Sequence, residues 1–210
     1  DNWKRLKKRL GMIREVNKRA TDYELEKCNT EARLLIYERT MVPSFNLEIW
    51  TKLRGKNWEK LERIQARVLK AIHRLPSGTP YWGILGETGI WPMKSLVEYD
   101  RIIYYQNVME SEKVRIAKRI VEDQKEIEGE NWTKETLKIG EKYGMDMENA
   151  GEIKKSQWKR KIKESINKEI EKEWKEKSRQ MKKLRHIKGG EFRRKKYLTE
   201  ATIEETAELL

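Results

Sequence analysis

Cations and flat aromatic rings alternate at three places in the sequence. Trp3 stands among Lys4, Arg5, Lys7, Lys8 and Arg9; Trp158 stands among Lys154, Lys155, Lys159, Arg160, Lys161 and Lys163; Trp174 lies beside Lys172, Lys175 and Lys177. Lysine and arginine neutralise phosphates and release their condensed counterions, and an indole can stack on an unpaired base or a sugar. The chemistry this pattern permits is the holding of a polyanionic strand. A plainer use competes for two of the rings. Trp158 and Trp174 fall on the one apolar stripe of their helix, so docking of that helix is their expected role, and the flanking cations keep the nucleic-acid reading. Arg193, Arg194, Lys195 and Lys196 follow Lys182, Lys183 and Arg185 after a short gap, the spacing of a two-part nuclear import signal.

Groups that make or break bonds do not assemble. Gly83, Gly86 and Gly89 repeat every three residues, but they follow no strand and precede no Lys-Ser/Thr pair, so turns and close packing are their expected use. No Asp-Asp pair offers a polymerase metal site, and Asp146 and Glu148 have no ordered scaffold in the pattern. Cys28 is the single cysteine and has no histidine near it, which excludes a disulfide framework and points to a small packing residue. His73 and His186 are far apart without ligands at metal spacing, and His73 borders a core stripe, where a packed histidine is expected. No catalytic residue, metal ligand or cofactor site is expected in this chain.

The elements that must position the cations read as helices almost throughout. Four prolines occur, three of them within residues 76–92, so both long flanks lack a proline breaker. Leu6, Leu10, Ile13 and Val16 stripe a basic helix over residues 2–20. A helix from Thr30 is broken or kinked at Pro43 and resumes over 45–53. Leu61, Ile64, Val68, Ile72 and Leu75 stripe a helix over 58–75 that puts Lys60, Arg63, Arg67 and Lys70 on its outer side. Residues 76–92 are too apolar for a solvated linker and hold one short helix packed on the rest. A helix over 93–109 turns Leu96, Tyr99, Ile103 and Tyr104 inward, and another covers 112–127. Gly144 stops a weak helix over 131–143. From about residue 150 to Lys188 apolar residues recur about every four positions, which describes a long, basic, largely exposed helix whose stripe drifts around its axis. Gly189 and Gly190 end it.

Charge follows these elements. The net charge is +13, but residues 1–20 carry 8 basic and 2 acidic groups, residues 120–152 carry 4 and 10, and residues 153–199 carry 19 and 6. Two basic blocks flank a mild core and an acidic insert, as expected for a nucleic-acid partner. No segment approaches the ~18–20 apolar residues of a membrane span. The chain opens at Asp1 inside a pattern and stops at Leu210 inside a helical run, so it is expected to be part of a longer polypeptide.

Residues 33–109 carry a resemblance. Leu34 to Trp50, with Val42-Pro43, Phe45 and Glu48-Ile49-Trp50, resembles the region after the polymerase core of non-LTR (LINE-type) retrotransposon reverse transcriptases. Leu61-Glu62-Arg63-Ile64-Gln65, Leu75-Pro76, Thr79-Pro80 and Glu87-Thr88-Gly89-Ile90-Trp91-Pro92 are similar to the elements that follow there, in order and spacing. Leu10-Gly11-Met12-Ile13 looks like the entry to the same thumb. Lys155-Ser156-Gln157-Trp158-Lys159 and Arg194-Lys195-Lys196-Tyr197-Leu198 resemble, more loosely, the connector of the lineage that ends in a restriction-like endonuclease.

The resemblance implies an all-α chain: a thumb-like helical bundle over 1–110, a helical acidic linker over 111–152, a long basic helix over 153–188, and a basic turn leading into a truncated helix over 189–210. It implies no enzyme activity in the fragment and an RNA-directed DNA polymerase as the parent protein. The expected partners are RNA or DNA, as template–primer duplex or element RNA, and the remainder of the polymerase, with no membrane. The expected compartment is the nucleus, with a cytoplasmic stage on element RNA. The competing expectation is a helical interaction or oligomerisation module that pairs through the long helix and has no nucleic-acid role.

Overall fold

The computed structural model describes residues 30–44, 56–110, 115–181 and 191–196. Among these residues there are seven helices and no strand, which is the all-α class that the periodicity predicts. The expected helix over 2–20, the expected continuation of the Thr30 helix over 45–53, Cys28 and the segments 182–190 and 197–210 lie outside the described residues. The described residues fall into two compact units. One is drawn from Asp1–Asn46, Glu59–Ile90 and Trp174–Leu210, and the other from Leu47–Trp58 and Trp91–Glu173.

In the first unit, helix α1 runs as Thr30–Ile36, a π-turn over Tyr37–Met41, and Val42–Ser44. The interruption expected at Pro43 takes the form of this π-turn. Proline has no N–H, and its ring crowds the carbonyl four residues back, here that of Arg39. In the wider turn the Val42 N–H donates to Tyr37 O, five residues back, so the chain passes Pro43 without leaving the helix. Helix α2 covers Lys56–Ile72, ending three residues short of the expected Leu75. Arg74 takes a left-handed φ of 53° and the Leu75 N–H donates back to Lys70 O at 2.9 Å, a Schellman-type end placed just ahead of Pro76. The buried face of α2 runs through Leu61, Gln65, Leu69 and Ile72, with Ile64 and Val68 half-buried. A glutamine sits in that face because the Tyr81 hydroxyl donates to its Oε1.

Helix α3, Tyr81–Thr88, is the short helix expected within 76–92, and Trp82 to Thr88 are all buried. Burying a helix end requires partners for its polar backbone groups. At the C-terminus the Gly89 N–H donates to Leu85 O at 2.9 Å, with Gly89 at φ 64°, and Thr88 Oγ1 donates to Ile84 O at 2.8 Å. The Lys195 N–H donates to Glu87 O at 3.0 Å, and Arg194 Nε to Thr88 O at 3.3 Å. Arg194 also pairs with Glu38 at 2.9 Å. On the flank of α3, Trp174 Nε1 donates to Trp82 O at 3.1 Å. Two glycines permit these approaches. A Cβ on Gly86 would stand 2.3 Å from Trp174 Nε1, and one on Gly89 2.5 Å from the Arg194 nitrogen. Close packing and a turn are thus what the glycine repeat supplies at these two positions.

In the second unit, helices α4 (Met93–Glu110), α5 (Arg115–Glu126) and α6 (Trp132–Lys142) pack on one another. The inward face of α4 differs from the expected one. Tyr104 is exposed and Leu96, Tyr99 and Ile103 are half-buried, while Glu98, Arg101, Ile102, Tyr105 and Gln106 are buried. The cause is polar. Arg101 donates to Thr136 Oγ1 and Trp132 O, each at 2.8 Å, pairs with Glu135 at 3.0 Å and lies over the Trp132 ring. Burial lowers the pKa of Arg101, and Glu135 and Glu98 oppose that shift. Glu98 accepts from the Tyr143 hydroxyl and pairs with Lys142 at 3.0 Å. Asn131 caps α6 by accepting from the Lys134 N–H at 3.0 Å, and Gly144, at φ 63°, follows its end as expected. The acidic stretch is therefore packed structure, with Tyr143, Met145, Met147 and Ala150 buried.

Helix α7, Lys155–Gln180, opens in the second unit and ends in the first. Trp158, Ile162, Ile166, Ile170 and Trp174 are each at most 1% exposed. Steps of four advance about 40° around a helix, so this stripe turns through about 160° from Trp158 to Trp174. The drift seen in the sequence lets one helix bury different faces at its two ends. Both tryptophans dock, as expected.

Gly86→Ala tests the central contact. Alanine is intrinsically better in a helix by about 1 kcal/mol, yet the added methyl must displace an indole held by its own hydrogen bond, at about 1–3 kcal/mol. The thermal midpoint, followed by circular dichroism, is expected to fall by up to several degrees; a raised midpoint contradicts the packing. His73, at the end of α2, supplies a second test. It is fully buried, and neither ring nitrogen has a hydrogen-bond partner among the described residues. Burial, with the nearby Arg194 charge, lowers its pKa to about 4. The folded state therefore keeps the imidazole neutral. Stability is full above the ordinary value near 6.5 and is lost as pH falls from there towards 4, by up to about 3 kcal/mol. Urea midpoints should decline across that window, and His73→Leu should flatten the decline; an equally steep decline in the variant contradicts it.

Candidate nucleic-acid interface

The first turns of α7 bring together the cations that flank Trp158. With the indole buried, Lys154, Lys155, Lys159, Arg160, Lys161 and Lys163 are all exposed, and among the described residues none of the six is in an ion pair. No acidic residue lies between Ile153 and Lys163. Lys155, Lys159 and Lys163 form one row, with about 6 Å of rise between neighbours. Like charges four apart on a helix repel by a few tenths of a kcal/mol per pair. They also stand at the end of the helix where the backbone dipole is itself positive. This arrangement weakens the isolated helix and favours an anion. Nearby, Asn149 hydrogen bonds hold the exposed Asp146 carboxyl below its usual range, with Lys161 adding a smaller pull.

Beyond Lys163 the character of α7 changes. Glu164, Glu169, Glu171, Glu173 and Glu176 alternate with Lys168, Lys172, Lys175, Lys177 and Arg179, so the excess charge of the described helix lies in its first third. The lysines beside Trp174 belong to this balanced part.

The first unit holds a second basic face. Lys60, Arg63 and Arg67 are exposed on α2, on the side away from Leu61, Gln65 and Leu69, as expected. Lys70 is half-buried and donates to Ser77 O. Arg63 reaches Glu59 at 3.4 Å in an exposed pair one turn apart, a contact worth little.

The basic turn near the C-terminus is used differently. Arg194 is half-buried and spent on Thr88 O and Glu38. Lys195 joins the same cap through its backbone N–H. Arg193 pairs with Glu191 at 3.0 Å on the surface, and Lys196 is exposed. Sequence spacing groups Arg194 with its neighbours as a free cation. Its role in closing α3 depends on Glu38, which lies 156 positions away, and no local signal announces it. Lys4, Arg5, Lys7, Lys8 and Arg9, together with Lys182, Lys183 and Arg185, lie outside the described residues.

Among the described residues no three His, Cys, Asp or Glu side chains converge where they could hold a metal ion. No helix among them is long and apolar enough to cross a membrane. No known protein family, curated protein or solved structure matches the chain.

Proposed function

We propose that this chain is a nucleic-acid-binding helical segment that holds phosphates on the first turns of α7. The observation that carries this reading is the block of six exposed cations over residues 154–163, in no ion pair among the described residues and with no acidic residue between them. Lys60, Arg63 and Arg67 on α2 offer a second basic face. Contacts of this kind position a strand and draw their energy from counterion release, with little dependence on base sequence.

The resemblance of residues 33–109 to non-LTR retrotransposon reverse transcriptases supports a more specific proposal. On that reading the chain is the thumb and C-terminal connector of such an enzyme, a nuclear RNA-directed DNA polymerase. The bundle grips template–primer duplex, and α7 holds element RNA or target DNA. The chain itself performs no chemistry. The competing idea of a partner helix seated on α7 is disfavoured by the burial of Trp158, Ile162, Ile166, Ile170 and Trp174 within the chain's own units.

A salt titration of binding to a labelled RNA–DNA hybrid and to single-stranded RNA tests the proposal. Log affinity should fall linearly with log salt, with each neutralised duplex phosphate contributing about 0.9 to the slope. Changing Lys155, Lys159 and Lys163 together to glutamate should reduce the slope by about 2–3 and weaken binding at least tenfold. Helicity should be unchanged, since these side chains are exposed. No measurable binding at low salt, or wild-type binding by the triple variant, overturns the proposal.

A further inference from the structure

Helix α5 carries large apolar residues on the side away from its core. Val121 is buried at 5% exposure, whereas Ile116 is 79% exposed, Ile120 50% and Ile127 56%. The Ile127 N–H donates to Asp123 O at 3.2 Å, so the helical path continues one residue past Glu126. At about 100° per residue the three isoleucines lie within an arc of about 40°. Exposed apolar residues scattered singly are ordinary, but a row along one helix face marks a contact surface.

The charges along α5 indicate what fits this row. Arg119 stands exposed in its first half, and Glu122, Asp123 and Glu126 stand exposed in its second, while Lys118 and Lys125 are half-buried on the side away from the row. A copy of the helix laid alongside in parallel would set like charge against like. Laid antiparallel, it sets the exposed Arg119 of each copy against the exposed acids of the other, twice by symmetry. With the two-fold axis between Val121 and Glu122, Ile116 of each copy meets Ile127 of the other, and Arg119 lies beside Asp123. The pattern is complementary to its own reverse, as an isologous contact between identical chains requires.

We propose that the α5 row Ile116, Ile120 and Ile127 is a self-association face, on which a second copy of this chain docks antiparallel. This surface is separate from the cations of α7 and stands whether or not the chain binds nucleic acid. A helix pair about 18 Å long buries less than a standard interface, so the dimer is weak and concentration-dependent.

Sedimentation of the nuclease-treated chain from low to high micromolar concentration tests this. The expected result is a shift from the 25.3 kDa monomer towards twice that mass. Ile116→Glu and Ile120→Glu should each weaken association about tenfold or more, with thermal midpoints held because both positions are exposed. Arg119→Glu and Asp123→Arg should each weaken it, and combining them should restore it by swapping the pattern. A single monomeric species throughout overturns the proposal. So does association untouched by the isoleucine variants, or a double charge variant no better than the singles.

Discussion

A short apolar helix buried on every side leaves backbone ends that water cannot reach, and the first unit is organised around satisfying them. Helix α3 is seven-eighths buried, and its C-terminal carbonyls would each cost on the order of 1–3 kcal/mol if left unpaired. Their partners come from far along the chain. The Lys195 N–H reaches Glu87 O, and the Arg194 guanidinium reaches Thr88 O while pairing with Glu38. Trp174, almost at the end of α7, donates to Trp82 O across Gly86. A cation at a helix C-terminus also meets the negative end of the backbone dipole, which suits Arg194 to this place. The packing of α3 thus fixes which cation of the C-terminal turn is structural and constrains where α7 must end.

The same constraint explains how α7 serves two purposes. Its apolar residues recur every four positions, too widely for a heptad seam, and the stripe turns steadily about the axis. Trp158 is buried in one unit and Trp174 in the other. With one narrow stripe consumed by packing, the remaining surface is left to charge. In the balanced part, alternating acids and bases solvate the helix. In the first third no acidic residue of the helix stands among the cations, although both like-charge repulsion and the helix dipole disfavour them there. A local choice that works against the element's own stability is where function is expected to reside.

Much of this was legible in the sequence, for physical reasons. Helical periodicity, the proline cluster and Gly144 located most of the described elements within a few residues, although α7 ends at Gln180, eight short of the expected Lys188. The four-residue spacing identified Trp158 and Trp174 as docking groups, and the absence of a preceding strand kept Gly86 and Gly89 out of a phosphate loop. What could not be read depends on partners remote in sequence. The inward face of α4 is set by Glu98 and Arg101, whose partners lie on or just after α6, 31 to 45 positions away. Hydropathy counts both as surface residues, and so assigns Tyr104 to the core in their place. Gln65 was hidden in the same way behind its bond from Tyr81, and Arg194 behind Glu38. The π-turn ahead of Pro43 was foreseeable as a disturbance but not as a helix that continues.

The proposal that α7 is a phosphate-binding element meets its most direct test in residue-resolved lysine modification, with and without a bound RNA–DNA hybrid. Acetylation rates read by mass spectrometry should drop on binding at Lys154, Lys155, Lys159, Lys161 and Lys163, and change little at Lys168, Lys172 and Lys175, where acidic neighbours balance the charge. Protection spread evenly along α7, or absent from its first turns while the hybrid is bound, would contradict it.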